Sequence, residues 1–289
     1  MAHIEILGYE HIADIANNRF YAQAIRSIEY GPLSRFFAKH STLPSELCHY
    51  VSGFDLIVSY LYDPDKIFED NLRRSGARNI VIGPAKIKSG DHAARQLACP
   101  MEDLGIKILD FSPKIFPAAQ DRQFAGNFLA KLARPIVAIH PGSGSKQKNW
   151  PIENWLTLIR KLLSAANFSG SVLIVAGEAD TIDGLDELRR NDRCRFALNL
   201  PLPHLAALLE QTIFIGHDSG ISHLAAAAGA DCILLFGPTD PAIWAPPDER
   251  TSVIRGQNGQ VANISVQEVE RELACRLVKN GSGTDPHRH

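Results

Sequence analysis

Short apolar runs alternate along the chain with longer amphipathic stretches, and polar turns separate them. Ile4 to Leu7 reads as a strand, Gly8 to Asp14 as a polar turn, and Ile15 to about Ile28 as a helix. Phe54 to Tyr60 is the next strand signal, followed by a helix around residues 66–75; Asn79–Ile82 is a third strand that stops at Gly83-Pro84, and residues 91–104 return to helical spacing. An irregular, Pro-containing stretch over 110–117 and a helix near 120–132 lead to Arg134-Pro135, the expected linker. The second half repeats the rhythm: strand 136–140, helix 151–166, strand 172–176, helices 184–190 and 202–211, strand 213–215, helix 221–228 and strand 232–236. This alternation predicts an α/β protein with parallel sheets and helices on both faces. The expected division is 1–134, 135–262, a terminal helix over 263–279 opened by a Ser265/Glu268 capping box, and a disordered tail over 280–289.

At 289 residues the chain exceeds the usual single core, which agrees with two domains of about 130 residues each. With 30 basic and 32 acidic residues there is no electrostatic case for a nucleic-acid partner, so any phosphate contact is local. The five cysteines (48, 99, 194, 232, 275) are far apart and form no C-x-x-C, which argues for free thiols in a reducing compartment. The apolar runs fall short of the roughly 20 residues that span a bilayer, and the N-terminus has no basic region followed by an apolar core. A cytoplasmic protein is expected.

The chemistry concentrates between Thr212 and Pro246. Asp218-Ser219-Gly220 interrupts a strand and a small-residue helix, so uncapped N–H donors, the positive helix end and the Ser219 hydroxyl form an anion site. The following strand ends in Gly237-Pro238-Thr239-Asp240-Pro241, and both loops lie at the sheet edge where ligands of open α/β sheets bind. Earlier, the loop from His140 to Pro151 carries Gly142, Ser143, Gly144, Ser145 and two lysines; glycines admit an anion to backbone N–H groups and a lysine neutralises it. It lacks the order of an ATPase phosphate loop and the third glycine of a dinucleotide fingerprint, and alone it reads equally as a surface turn. Paired with the Asp218 loop it reads as half of a shared phosphate site. Glu178 or Asp180, after the 172–176 strand, could accept hydrogen bonds from ribose hydroxyls or be a solvated loop charge. Asp63-Pro64-Asp65 reads as a turn, and no acidic triplet at a strand end suits a metal.

Three segments stand in order over about 110 residues: His140-Pro-Gly-Ser-Gly leading to Lys148-Asn-Trp150-Pro151, Gly216 to Ala227, and Phe236 to Pro241 with Trp244 and Pro246 behind. In these the chain resembles the bacterial lipopolysaccharide heptosyltransferases, glycosyltransferase family 9. The resemblance implies a GT-B-type fold, two Rossmann-like domains with parallel sheets facing across a cleft, the donor held by the second and the acceptor by the first. It matches Lys148 to the phosphate-contacting lysine, and Asp218, Ser219, Gly220 and His223 to the diphosphate-side loop and helix start, with Thr239 and Asp240 beside them. For Asp218 a plain helix N-cap is the alternative, and for His223 a packed histidine. In the first half, Ile6 to Asp14 stands where the family carries a glycine-rich LGD-type loop, with Ala13 where a glycine is common. Asp14 matches the general base; an N-cap is its alternative role, and His11 or Glu10 could serve instead.

The resemblance further implies an inverting, metal-independent transferase without a cofactor. It would move a heptose from a nucleoside diphosphate donor such as ADP-heptose to a lipopolysaccharide-core, glycan or lipid-linked acceptor. Membrane contact would be at most peripheral, at the inner face of the bacterial inner membrane. The competing readings are a nucleotide-sugar epimerase or hydrolase, and a non-catalytic nucleotide-binding subunit.

Overall fold

The computed structural model describes residues 2–19, 21–180 and 182–281. Its chain divides after Phe111 into two units, Met1–Phe111 and Ser112–His289.

In the first unit β1 (Glu5–Gly8), α1 (Glu10–Ala13) and β2 (Ala24–Ser27) come first, and β1 pairs with β2 in parallel. A 3₁₀ stretch (Gly31–Phe37) leads to α2 (Ser45–Ser52), β3 (Ile57–Ser59), α3 (Ile67–Arg74), β4 (Ile80–Ile82) and α4 (Ala93–Asp103), with β3 parallel to β4. Leu33, Phe36, Leu47, Val51, Phe68 and Leu72 form its core. Two expectations are corrected here. The polar turn over Gly8–Asp14 contains α1, whose Ala13 N–H donates to the Tyr9 carbonyl at 2.8 Å. Among the described residues of 15–28 the expected helix does not form: Asn18 takes φ +50, and Ala24–Ser27 pairs with β1 instead. Helix-forming residues there yield to a strand partner distant in sequence, a tertiary override of local propensity.

The second unit runs α5 (Ala119–Leu129), β5 (Ile136–Ile139), α6 (Ile152–Ser164), β6 (Ser171–Ala176), β7 (Cys194–Leu198), α7 (Leu202–Leu209), β8 (Ile213–His217), α8 (Gly220–Ala228), β9 (Asp231–Phe236), α9 (Pro241–Trp244), β10 (Thr251–Arg255) and α10 (Val266–Gly281). Residues 184–190, expected as a helix, lie in a 3₁₀ stretch, Asp183–Arg190. The six strands form one parallel sheet in the order β10-β9-β8-β5-β6-β7. Every residue of β5, β6 and β8 is buried, which explains their unbroken apolar runs: helices cover both faces of a parallel sheet. Trp150, Trp155, Ile159, Ile174 and Leu273 lie in the main core.

Beginning at β5, the chain winds outward through β6 and β7, crosses back to β8, and then winds the other way. That is the doubly wound Rossmann order, with its switch point between β5 and β8. The edge strands β7 and β10 were not legible as strands in the sequence; both are only partly buried, and β7 carries Arg195.

Helix α5 belongs to the second unit, where the Phe124 ring stacks on His204 at 4.1 Å and Arg122 Nη2 donates to Glu210 Oε1 at 2.6 Å. Arg134-Pro135, expected as the linker, therefore lies inside that unit, with the Pro135 carbonyl accepting from Ser171 N–H at 3.0 Å. The capping box of α10 forms as expected: Ser265 N–H donates to Glu268 Oε2 at 2.8 Å and Glu268 N–H to Ser265 Oγ at 3.2 Å. Residues 282–289 of the expected tail lie outside the described residues. Among the described residues no helix is long and apolar enough to cross a membrane.

Candidate functional site

The switch point brings two loops together. β5 and β8 are hydrogen-bonded neighbours, and His140 N–H donates to the Ile215 carbonyl at 2.9 Å just past the end of β5. Beyond this pair the 140–150 loop turns back through a short 3₁₀ stretch, Lys146–Lys148, and Lys148 Nζ donates to Asp218 Oδ2 at 2.6 Å. Asp218 is buried beneath it while the lysine remains partly open to solvent. The two loops thus form one constellation at the edge where ligands of such sheets bind.

His217, the last residue of β8, fastens the loop from below. It is fully buried; its Nε2 accepts from Trp150 N–H at 2.8 Å, and its Nδ1 lies 3.2 Å from the Gly142 carbonyl. These contacts require one proton, on Nδ1, and so a neutral ring. Burial pushes the His217 pKa down to about 4, against a smaller upward pull from the Gly142 carbonyl, which keeps the ring neutral at pH 7. Trp155 packs edge-on against the imidazole at 5.4 Å. His217 was not singled out from the sequence, although its place between a buried strand and the Asp-Ser-Gly break was visible.

On the other flank Asp180 Oδ2 accepts from Gly177 N–H at 2.7 Å and lies 3.0 Å from His140 Nε2. Burial pushes the Asp180 carboxyl up, but the hydrogen bonds to His140 and Gly177 outweigh it and hold the pKa below the ordinary carboxylate value. Glu178, on the same turn, is exposed. Ser143 Oγ lies 2.6 Å from Asn149 Oδ1 and 2.8 Å from the Ser145 carbonyl, which closes the glycine-rich loop on itself. A Cβ added at Gly144 would meet only open space.

Helix α8 starts at Gly220, and its first turn is capped, contrary to expectation: Ser219 Oγ accepts from Ser222 N–H at 3.3 Å. A short serine side chain in extended backbone just before a helix serves its own amides, so part of that hydroxyl's capacity is spent within the protein. The cap is Ser219 and not Asp218, whose carboxylate faces Lys148. Ser222 Oγ donates to the His217 carbonyl, which ties the helix start to the strand end. His223 is half-buried in the same turn. At the end of the neighbouring strand β9, Thr239 Oγ1 is buried without a hydrogen-bond partner among the described residues. Asp240 caps α9, accepting from Ala242 N–H at 3.1 Å.

Asp14 belongs to the first unit. It is the C-terminal cap of α1, its N–H donating to the Glu10 carbonyl at 2.9 Å, so the N-cap alternative does not hold. Its own carbonyl accepts from Arg19 Nη1 at 2.8 Å. Glu10 and His11 are exposed on the preceding turn. Asp63 forms a turn before α3, its Oδ2 accepting from Glu69 N–H at 2.9 Å. Among the described residues no group of three or more His, Cys, Asp or Glu side chains could hold a metal ion.

Comparison with known proteins agrees with this architecture. The model of glycosyltransferase family 9 (heptosyltransferase) matches residues 89–274. The lipooligosaccharide heptosyltransferase 2 of Haemophilus influenzae is 28% identical over 140 residues, 45% of this chain and 39% of that protein, so the matched stretch spans about two fifths of the relative's length. The crystal structure of the glycosyl transferase family 9 protein from Veillonella parvula superposes with a TM-score of 0.77 at 16% identity, covering 96% of this chain and 89% of that one. The Escherichia coli heptosyltransferase WaaC, solved with ADP, superposes with a TM-score of 0.69 at 16% identity, covering 94% and 89%. At such identities the structural likeness is one of fold, and that fold is of the GT-B type. With the family model matching well over half of its length, the chain belongs to glycosyltransferase family 9, the heptosyltransferases.

Proposed function

We propose that the protein is an inverting glycosyltransferase that moves a heptose from ADP-heptose to a lipopolysaccharide-core or related glycan acceptor. The observation that carries this reading is the Lys148–Asp218 pair at the β5/β8 switch point. There the Lys148 ammonium meets a carboxylate two residues before a nine-residue helix. The donor's diphosphate sits against Lys148, the amides around Ser143, Gly144 and Ser145, and the start of α8 at Gly220 and His223; helix N-termini and glycine-rich turns favour that charge. The unpartnered Thr239 hydroxyl supplies a further donor, Asp240 lies beside it, and Glu178 takes the ribose hydroxyls.

In the chemical step Asp14 removes the proton from an acceptor hydroxyl as its oxygen bonds to the anomeric carbon. The bond from that carbon to the diphosphate oxygen breaks, and the electron pair leaves with ADP. Attack opposite the leaving group inverts the centre. Lys148 and the α8 terminus stabilise the charge developing on ADP, the role a metal ion plays elsewhere, so no metal enters the step. The named relatives support the nucleotide and the sugar: one is called a heptosyltransferase and another was solved with ADP. Five free thiols suit a reducing cytoplasm.

A thermal-shift panel of ADP-, GDP- and UDP-sugars tests the donor, since a bound ligand raises the unfolding temperature with its saturation. ADP-heptose gives the largest shift, and its transfer to a core acceptor is then followed directly. A larger shift with GDP- or UDP-sugars overturns the nucleotide, and absence of turnover with every donor and acceptor overturns the transferase.

A further inference from the structure

We infer that Asp180 is a positioning residue for the diphosphate loop, acting through His140 and Gly142 rather than by touching the donor; this rests on the donor-site reading above. The loop that carries Lys148 leaves β5 at His140 and is held from both neighbouring strands. From the β8 side His217 binds the Gly142 carbonyl and the Trp150 amide. From the β6 side the only side chain that reaches it among the described hydrogen bonds is Asp180, at 3.0 Å from His140 Nε2.

The Asp180 carboxylate is turned inward, against the loop. Oδ2 takes the Gly177 N–H and faces His140; Oδ1 lies so close over Gly142 that a Cβ there would stand 1.7 Å from it. Asp180 is 10% exposed and His140 3%, whereas Glu178 on the same turn is exposed. The carboxylate that faces inward therefore orders the loop, and the one that faces outward is the group free to meet a ribose.

The anchoring has little redundancy. His140 Nδ1 is buried without a partner among the described residues, so Nε2 carries the ring's hydrogen bonding. Without Asp180 a buried imidazole loses its partner, which costs enough for the ring and the loop it begins to shift. Only Gly142 admits the carboxylate at this distance. Residues 140 and 142 thus set the path by which Lys148 reaches Asp218, and Asp180 holds them from the β6 side as Ile215 and His217 hold them from the β8 side.

The test measures ADP and inorganic pyrophosphate binding by titration calorimetry, and donor KM, acceptor KM and kcat with ADP-heptose. The proteins are wild type, Asp180→Ala, Asp180→Asn, Gly142→Ala and the Gly142→Ala/Asp180→Ala double variant, each checked by thermal unfolding. Asp180→Ala weakens ADP and pyrophosphate alike by about tenfold and raises donor KM to match, the size expected for one charge-assisted buried hydrogen bond. Its kcat falls as well, because the displaced Lys148 also stabilises the leaving diphosphate, while its acceptor KM stays within about twofold. Asp180→Asn, whose amide oxygen can accept from both His140 and Gly177, restores most of the affinity. Gly142→Ala weakens both ligands even if Asp180→Ala does not fold, and the double variant is no worse than Gly142→Ala, because the clashing oxygen is gone. Weakened ADP with unchanged pyrophosphate makes Asp180 a ribose ligand and overturns the inference. So does a lowered unfolding temperature with unchanged binding of both. A wild type that binds neither ligand defeats the donor-site reading itself; a wild type that binds both, matched by Asp180→Ala and Gly142→Ala, defeats only the positioning role.

Discussion

Lys148 Nζ donates to Asp218 Oδ2 at 2.6 Å across a separation of 70 residues in the chain. The pair joins the loops after β5 and β8, and it places an anion beside the ammonium that the leaving diphosphate is proposed to use. Donor phosphate must then share Lys148 with Asp218 or displace it. The two residues should therefore respond in opposite directions to substitution. Lys148→Ala lowers kcat/KM by roughly 10²–10³-fold, as for loss of one charge-stabilising group, and weakens ADP binding. Asp218→Asn binds ADP at least as tightly as wild type, because a competing negative charge has been removed. Calorimetric titration of both variants checks this; weaker ADP binding by Asp218→Asn would show that the carboxylate orients the lysine rather than competes for it.

Asp14 belongs to the first unit, at the C-terminal cap of α1, and the proposed donor residues belong to the second. As general base it contributes to the chemical step and not to nucleotide binding. Asp14→Asn should lower kcat by about 10²–10⁴-fold with an unchanged Kd for ADP. Undiminished turnover would move the role to Glu10 or His11, and Glu10→Gln and His11→Gln assayed beside it identify which.

His217 should govern the pH dependence of stability on the acid side of neutrality. Its folded pKa, about 4, lies below the unfolded value of 6.5, so the unfolded chain binds a proton that the native one refuses. The neutral ring's contribution is complete above about pH 6.5 and is lost as pH falls toward 4, amounting to about 3 kcal/mol for a shift of this size. Asp180 acts lower. Its depressed pKa means that its contribution is present above 3.8 and fades only as pH drops through the folded value. Urea unfolding at pH 7.5 and 4.5 should separate wild type from His217→Gln, which loses stability at the higher pH and shows a flatter dependence. An equal pH slope in both proteins would place the linkage elsewhere.

Trp150 joins the loop to the core of its own unit. Its indole Nε1 donates to the Ile264 carbonyl at 2.8 Å, and its ring meets Trp155 edge-on at 5.0 Å. Trp150→Phe leaves a buried carbonyl without its donor and should cost about 1–2 kcal/mol. Trp150→Ala also opens a cavity and should cost about 3–5 kcal/mol. Denaturant titration orders the three proteins, and equal midpoints for Phe and wild type would mean that the hydrogen bond contributes nothing net.

Much of the second unit was legible because its information is local. β5, β6, β8 and β9 are buried runs flanked by turn residues, α8 follows Ser219, and α10 begins with a capping box that forms as its four residues dictate. The three motifs also stand in the primary sequence, so membership of a family and the choice of Lys148, Asp218 and the glycine-rich loop needed no coordinates. Tertiary structure decided what depends on partners distant in the chain. Residues 24–27 look helical and become β2 because β1 is available to pair. Helix α5 belongs to the second unit because Phe124 and Arg122 find His204 and Glu210. Between two carboxylates on one turn, only the position of His140 and Gly142 tells that Asp180 faces inward and Glu178 outward. His217 matters because a buried ring nitrogen meets the amide of Trp150. Sequence fixes local propensity and chemical type, while a long-range pairing exists only once the sheet has brought its two halves together.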